Sequence, residues 1–455
     1  MLWGWLAAFF ALQALIGVWA SRRVKTETDY FVAGRALGVP MVTLSLFATW
    51  FGAETCLGAS GAVYADGLAG ARADPFGYAM CLLLMGLVLA RRLSEGKFIT
   101  LGDLYRRSFG VGAERVAVLL LVPSSLVWGA AQMRAFGQVV SATTALDVEL
   151  AITVSAGLVI LYTFIGGLLG DVITDVVQGG LLSLGLIAIA VAVVTGTPEA
   201  LDLSASLTGE RVSLLPAAES PWVQIDRWSV PILGSLIAQE LIARVLAART
   251  PEVAGRASVL ASGLYIMIGI IPITLGLLGP SLMPGLAEPE QLLPELARTY
   301  LSPTLYMIFA CALLSAILST IDSILLSSSA LVSHNLLVPA LGWTSPRARL
   351  WSGRVVVVAA GVFAYVVALH GASIYDLVET ASTLGTAGIL VTTLAALFAS
   401  RKDGRAAVAA LVVGAAMTPL ASEVLEWSAP FLASIAAAAL TYVVAASLGR
   451  ARPPG

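Results

Sequence analysis

The sequence predicts an all-α integral membrane protein with thirteen transmembrane helices. Three observations support this prediction: an apolar composition, apolar runs of about 20 residues, and positive charge gathered on one predicted side. Of the 455 residues, 58% are hydrophobic and 12% charged, with a mean hydropathy of +0.90. A soluble domain has about 25% charged residues, so much of this surface must face lipid. Lipid offers backbone groups no partner, which leaves helix bundles or closed barrels. The long apolar runs fit helices rather than short alternating strands.

The apolar windows set the bounds of these helices. In chain order they are predicted at residues 2–20, 38–64, 73–93, 114–146, 148–168, 170–195, 229–249, 255–279, 301–335, 351–369, 373–399, 404–422 and 426–449. The first is as long as a signal peptide, but its only positive residues, Arg22, Arg23 and Lys25, come after the apolar stretch. That order is typical of a retained helix with its N-terminus outside. The hydrophilic stretch 197–228 is too short to fold independently, so we predict a single transmembrane domain.

The distribution of positive charge tests this topology. An outer N-terminus and an odd number of spans put the C-terminus in the cytoplasm. Most of the 26 Lys and Arg residues then lie on the cytoplasmic side, and the outer side has Arg72, Arg211, Arg227 and Arg298. The positive-inside rule therefore favours this count and orientation. We predict a multi-pass protein of the plasma or inner membrane.

Other protein classes lack a signal in the sequence. The net charge of −2, without a run of Lys and Arg, gives no sign of nucleic-acid binding. Cys56, Cys81 and Cys311 lie in apolar stretches, and His334 and His370 are too far apart for a convincing transition-metal site. The sequence shows no nucleophile–base set or phosphate-binding glycine loop. We expect no enzyme, no organic cofactor and no nucleic-acid partner. The expected partners are the lipid bilayer and a small-molecule solute.

Of the ionisable residues inside predicted spans, we consider four in detail: Glu54, Arg134, Asp175 and Asp322. A charge within a span costs at least a few kcal/mol unless it faces a cavity or a partner, so each marks a functional hypothesis. For Arg134 the structural alternative is an intramembrane ion pair with Glu54.

Hydroxyl groups crowd the predicted ninth helix, in LLSAILSTIDSILLSSSALVSHN. Ser315, Ser319, Asp322 and Ser323 recur there at helical spacing. Hydroxyl and carbonyl oxygens suit a hard monovalent cation such as Na⁺, although such hydroxyls also permit close packing or bond back to their own helix. The glycines around Glu54 in the second span likewise indicate either close packing or an interrupted helix whose free carbonyls bind an ion.

Four ordered blocks resemble the sodium:solute symporter family. They are DYFVAGRALG with ATWFGAETCLGASGAVY; DPFGYAMCLLL with ITLGDLYRRSFG; LYTFIGGLLGDVITDVVQGG; and SAILSTIDSILLSSSALVSHNL. The resemblance runs from Thr28 to about residue 400. It implies the leucine-transporter-type fold, in which two five-helix repeats of inverted topology (5+5) surround central ion and substrate sites. The repeats would be residues 38–195 and 229–399, with residues 2–20 and 404–449 peripheral.

The resemblance also implies sodium ligands. The first site would use the backbone carbonyls of Ala48, Phe51 and Ala316 and the hydroxyls of Ser319 and Thr320. A second sodium position, or a route of ion exit, would use Asp175, Ser319, Asp322 and Ser323. Asp322 stands where members with that second site often have serine.

Within the family, ATWFG, DPFGYAMCLLLMGLVLARRL and VWGAAQMRAFG are similar to the choline-transporter branch. Trp50, Tyr78 and Trp128 match aromatics that hold a cation, although tryptophans also pack in bundles and at membrane interfaces. The branch's tryptophan is missing near Ala238. Arg134 resembles an arginine that binds a carboxylate in acid-carrying relatives.

These resemblances predict the solute and the mechanism. The expected solute is a zwitterion or carboxylate, such as an amino acid, betaine or sugar acid, taken into the cell by sodium-coupled symport with alternating access. The substrate-binding residues would be Trp50, Glu54, Tyr78, Trp128 and Arg134. Two alternatives remain: a proton-coupled or uncoupled carrier of the same fold, in which Asp175, Asp322 or Glu54 titrates, and a transporter-like sensor subunit.

Overall fold

The computed structural model of the chain describes residues 2–143, 146–197, 204, 206–370 and 385–448, and its regular elements are helices. We number the α-helices in chain order. They are α1 Leu2–Ser21, α2 Glu27–Val32, α3 Val39–Trp50, α4 Ser60–Asp66, α5 Tyr78–Leu84, α6 Ala90–Glu95, α7 Leu101–Phe109, α8 Val111–Thr143, α9 Val148–Gly196, α10 Pro221–Ser229, α11 Gln239–Ala247, α12 Pro251–Leu282, α13 Leu292–Tyr300, α14 Pro303–Ala330, α15 Val338–Leu341, α16 Pro346–His370, α17 Thr386–Phe398, α18 Gly404–Pro419 and α19 Pro430–Leu448. Short π-helical or 3₁₀ segments join several of them into longer spans.

Four of these helices, α10, α12, α14 and α16, begin at a hydroxyl residue followed by proline. The hydroxyl groups of Ser220, Thr250, Ser302 and Ser345 each accept a hydrogen bond from the backbone N–H three residues on. The proline that follows has no N–H to leave unpaired, and its fixed φ suits the first helical position. Local sequence therefore fixes where these four helices start.

Within the described part of the chain, fewer helices are long and apolar enough to cross a membrane than the thirteen that the sequence predicts. Among the described residues, eight helices are long and apolar enough to cross a membrane. A ninth is formed if the bent pair Pro221–Ile237 and Gln239–Ala247 makes one span. The all-helical membrane architecture is confirmed, whereas the count of thirteen and the orientation of the termini stay predictions. Residues 373–384 of the predicted helix 373–399 lie outside the described residues.

Part of this difference comes from α9, which runs through two predicted helices. At 1.5 Å per residue its 49 residues would extend roughly 70 Å, more than twice the hydrocarbon core of a bilayer. The helix turns at Gly167, whose φ of 58° and ψ of −168° are not helical. A Cβ at Gly167 would lie 2.6 Å from the Tyr30 ring, so both the conformation and the close approach require glycine. Gly167 therefore separates the segments that the sequence predicts as 148–168 and 170–195.

Helix α14 lies at the centre of the bundle. It packs against α9, α8, α16 and α3, and from Cys311 to Ala330 every side chain is buried. Its hydroxyl groups consequently face protein rather than lipid. Ser315, for example, accepts a hydrogen bond of 3.0 Å from Gln13 of α1.

Candidate functional site

The predicted interruption of the second span lies directly after α3. The backbone leaves the helical conformation at Phe51 (φ −77°, ψ 89°) and resumes as the π-helical turn Glu54–Ala59. Gly52 lies in the break and faces α14, where an added Cβ would contact the Ala316 side chain at 3.4 Å. The absence of a side chain lets the broken segment approach α14 closely.

A cavity of about 610 Å³ opens beside this break. The break, the start of α5, one face of α8 and the segment before α11 line it. Among the described lining residues the charged ones are Glu54, Glu240 and Glu290, and all three are acidic. Glu290 is exposed, whereas Glu240 is buried. A small-molecule site is typically a concave, mostly apolar pocket with a few polar groups, and this cavity has that composition.

Glu54 accepts hydrogen bonds from three side chains that converge on it. Trp128 Nε1 lies 2.8 Å and Gln132 Nε2 3.0 Å from Glu54 Oε1, and the Tyr78 hydroxyl lies 3.3 Å from Oε2. Because an ionised carboxylate only accepts, this set of donors suits the charged form. The structure thus brings together Glu54, Tyr78 and Trp128 as the sequence predicts.

Glu240 forms a second acidic wall of the same cavity. Its Oε1 accepts a 3.2 Å hydrogen bond from the Trp50 indole. The Trp50 and Tyr78 ring centroids are 5.1 Å apart, and Tyr78 donates to Glu54, so the two rings connect the two carboxylates through a chain of contacts. Glu240 was missed by the sequence reasoning, although it is an acid inside a predicted span, the signal that identified Glu54.

Arg134 is not among the described residues that line the cavity. Its Nη1 donates to the carbonyl of Ala368, 3.0 Å away. The periodicity of α8 explains this placement. Trp128 and Gln132 are four residues apart and share the cavity face, whereas Arg134 comes two residues later, a rotation of roughly 200°. The described ion pairs do not include Arg134 with Glu54, and neither Glu54 nor Glu240 belongs to any of them.

The residues of the first predicted sodium site lie on the two segments that meet at the break. Ala48 and Phe51 belong to the end of α3, and Ala316, Ser319 and Thr320 belong to α14; all five are buried. The Thr320 hydroxyl lies 3.3 Å from the carbonyl oxygen of Thr49 and 3.2 Å from that of Ala316. Hydroxyl and carbonyl oxygens from both segments are therefore within hydrogen-bonding reach of each other.

A fully buried ionic cluster adjoins these hydroxyls. Arg244 of α11 has no exposed side-chain surface and donates to Asp171 Oδ2 at 2.8 Å and to Asp175 Oδ2 at 2.9 Å. It also donates to the hydroxyls of Ser45 (3.0 Å) and Ser323 (2.6 Å). Neither Arg244 nor Asp171 was singled out from the sequence. Their spacing held a signal, because Asp171–Asp175 and Glu240–Arg244 are both four residues apart and so share a helix face.

The residues of the second predicted sodium position belong to this cluster. Ser319 donates to Asp175 Oδ1, and Ser323 donates to Asp171 Oδ1 at 3.1 Å. Asp322 is 2% exposed, and its Oδ1 has no hydrogen-bond partner among the described residues. The cluster thus contains two carboxylates on one guanidinium, with a third buried carboxylate on the adjoining helix.

The sequence model of the sodium:solute symporter family matches residues 30–414. This chain belongs to the sodium:solute symporter family. The chain is 28% identical to the human high affinity choline transporter 1, over 90% of this chain and 74% of that protein. The corresponding Drosophila melanogaster transporter is 26% identical over 83% of this chain, and the chain spans 64% of its length. The high-affinity proline transporter PutP of Bacillus subtilis is 26% identical, over 88% of each chain. These relatives are transporters, as the sequence predicts for this chain.

Solved structures share the fold of this chain. A substrate-bound, outward-open Na⁺-coupled sialic acid symporter superposes with a TM-score of 0.88 at 18% identity, over 98% of this chain and 97% of that one. MHP1, a transporter of the nucleobase-cation-symport-1 family, gives a TM-score of 0.65 at 14% identity, over 93% and 94%. At these identities the likeness concerns the fold alone. It confirms the predicted leucine-transporter-type architecture, while the repeat boundaries at 38–195 and 229–399 stay a prediction.

Proposed function

We propose that this chain is a sodium-coupled symporter that carries a small organic cation into the cell by alternating access. One observation supports the cation above all: two carboxylates, Glu54 and Glu240, face one aromatic cavity and are absent from the described ion pairs. Their negative charge would attract a cationic solute, which would lie against the aromatic side chains Trp50 and Tyr78. The choline specificity named for several relatives agrees with such a solute.

This proposal revises the solute that the sequence predicts. The preference for a zwitterion or carboxylate depended on a substrate-facing Arg134. The Arg134 guanidinium instead donates to the Ala368 carbonyl. A solute carboxylate in the cavity would therefore face acidic side chains and would find no cationic partner among the described lining residues. Like charges at close range in a site of low dielectric repel strongly. A bare ammonium avoids that repulsion.

Sodium coupling is proposed at the break after α3. The carbonyls of Ala48 and Phe51 would bind Na⁺ together with the Ala316 carbonyl and the hydroxyls of Ser319 and Thr320. Trp50 and Glu54 flank the same break, so an ion that fixes the break also fixes two groups of the cavity. Each ligand then raises the affinity for the other, which is the thermodynamic requirement of symport.

Thermal unfolding of the purified protein tests both halves of the proposal. At equal ionic strength, the unfolding midpoint should be higher in Na⁺ than in K⁺. Choline should raise the midpoint further only when Na⁺ is present. Both effects are expected because ligands that bind the folded state stabilise it. Ser319→Ala and Thr320→Ala should each raise the half-saturating Na⁺ concentration at least about tenfold. Ser327→Ala is the matched control, since this buried hydroxyl of α14 bonds only to the Ile324 carbonyl in the described contacts. Identical midpoints in Na⁺ and K⁺ would contradict sodium coupling.

The buried carboxylates favour one second candidate, a proton-coupled carrier of the same fold. Asp171 and Asp175 share the buried guanidinium of Arg244, and the Oδ1 atom of the buried Asp322 lacks a partner among the described residues. A proton on one of these acids would balance the cluster as well as a second Na⁺ would. Uptake into proteoliposomes that follows an imposed pH gradient without Na⁺ would favour this candidate.

A further inference from the structure

We infer that the solute is a diamine: two ammonium groups on a short aliphatic spacer, one on Glu54 and the other on Glu240. This inference rests on the proposed function and names the substrate class of the same cavity. The structure offers two acidic subsites rather than one, and the argument depends on how each is built.

Each carboxylate accepts a hydrogen bond from an indole N–H. Trp128 donates to Glu54 at 2.8 Å, and Trp50 donates to Glu240 at 3.2 Å. An ionised carboxylate has about four acceptor positions. Glu54 uses three for described side-chain donors, and Glu240 uses one. Both retain capacity for an ammonium donor from the cavity, and their orientation is fixed before the solute arrives.

Charge balance distinguishes one ammonium group from two. When the cavity closes around its solute, both carboxylates lose water, and an unpaired buried carboxylate is costly. A monocation pairs with one carboxylate and leaves the other without a cationic partner. Arg244 does not supply the missing charge, because its guanidinium is committed to Asp171 and Asp175, and its contact with Glu240 is to the backbone carbonyl. A dication neutralises both acids.

The wall that joins the two acids suits an aliphatic spacer. Trp50 donates to Glu240, Tyr78 donates to Glu54, and the centroids of the two rings are 5.1 Å apart. Apolar side chains also line the cavity, namely Ala53, Leu57, Ile237 and Ala238. A methylene chain buries apolar surface against these groups, whereas a polar linker would lose its hydrogen bonds to water.

The test compares amines of matched length on the full-length protein in detergent and Na⁺. Apparent affinities of diaminobutane, diaminopentane, butylamine and choline follow from the concentration dependence of the unfolding midpoint. A second charge-assisted contact should make the diamines bind at least about tenfold more tightly than butylamine. Glu240→Gln should remove this preference, so that the diamines and butylamine bind that variant with affinities within about twofold of each other. Glu240→Asp should retain the preference, and so should Glu423→Gln, which removes an exposed carboxylate outside the cavity.

The possible results separate the two proposals. Equal affinity for butylamine and the diamines in the unmodified protein overturns the diamine inference and requires no variant to fold. Na⁺-dependent binding of choline without a diamine preference does the same, and leaves the proposed function in place. Binding of zwitterions such as betaine or proline with no binding of any of the four amines overturns both.

Discussion

Arg244 is the side chain whose removal should affect the folded state most. Its guanidinium lies between α3, α9 and α14 and makes the cationic contacts to Asp171 and Asp175, at 2.8 and 2.9 Å, with all three side chains fully buried. In Arg244→Met an unbranched aliphatic side chain takes the place of the arginine stem, and the positive charge is lost. Both aspartates then remain buried without their described cation.

The magnitude follows from the cost of an orphaned buried charge. Removing one partner of a buried ion pair destabilises a protein by about 3–5 kcal/mol. Arg244 serves two carboxylates, so we expect a loss toward the upper end of that range in Na⁺-free buffer. The matched control is Arg298→Met, because Arg298 is 68% exposed and pairs only with Glu295 in the described ion pairs. An exposed pair contributes about 0–1 kcal/mol.

Unfolding in mixed micelles with increasing denaturing detergent measures both variants against the unmodified protein. A loss in Arg244→Met of less than about 1 kcal/mol, similar to the control, would refute the reasoning. Adding Asp171→Asn to Arg244→Met provides a further check. It removes one of the two orphaned charges, and we expect it to restore part of the lost stability, since effects within one ionic network are not additive.

Three further variants test single features. Gly179→Val should weaken Na⁺ binding at least about tenfold in the midpoint assay, because even a Cβ at 179 would lie 2.8 Å from the side chain of Ala48, a proposed ligand. Arg134→Gln should leave amine affinity within about twofold in folded protein, since Arg134 does not line the described cavity; a larger loss would return it to the substrate site. Hydrogen bonds from Arg72 hold the pKa of Glu219 below its usual range, so the stability that Glu219 contributes is complete at neutral pH and is lost as the pH falls through that lowered pKa. Glu219→Gln should remove this acid-dependent loss from a pH series of unfolding midpoints.

The sequence predicts those features that the membrane itself imposes. Span length, apolar composition and the cost of buried charge are properties of local sequence, and they identified the helical architecture and the functional interest of Glu54, Asp175 and Asp322. The break after α3 could be predicted for the same reason, because glycine beside an acid within a span is a local signal.

The pairing of charges could not be predicted in this way. Arg244 reaches carboxylates 73 and 69 positions earlier in the chain, and no local pattern states which buried acid a given arginine meets. The predicted depth of Arg134 in the membrane likewise did not predict which groups it contacts. Its position along α8 placed it at the right level, but its rotation about the helix axis, readable from the spacing to Trp128, decides which neighbour it contacts.

The cavity and the ionic cluster are connected through two shared helices. From α11, Glu240 faces the cavity, and Arg244 one turn later holds the cluster. From α3, Ser45 donates to Asp175 in the cluster at 2.5 Å, and Trp50 lines the cavity and donates to Glu240. Any shift of α3 relative to α11 therefore changes the contacts at both sites at once. A cation bound in either place alters the energy of that shift, and this shared geometry gives a physical basis for the coupling that symport requires.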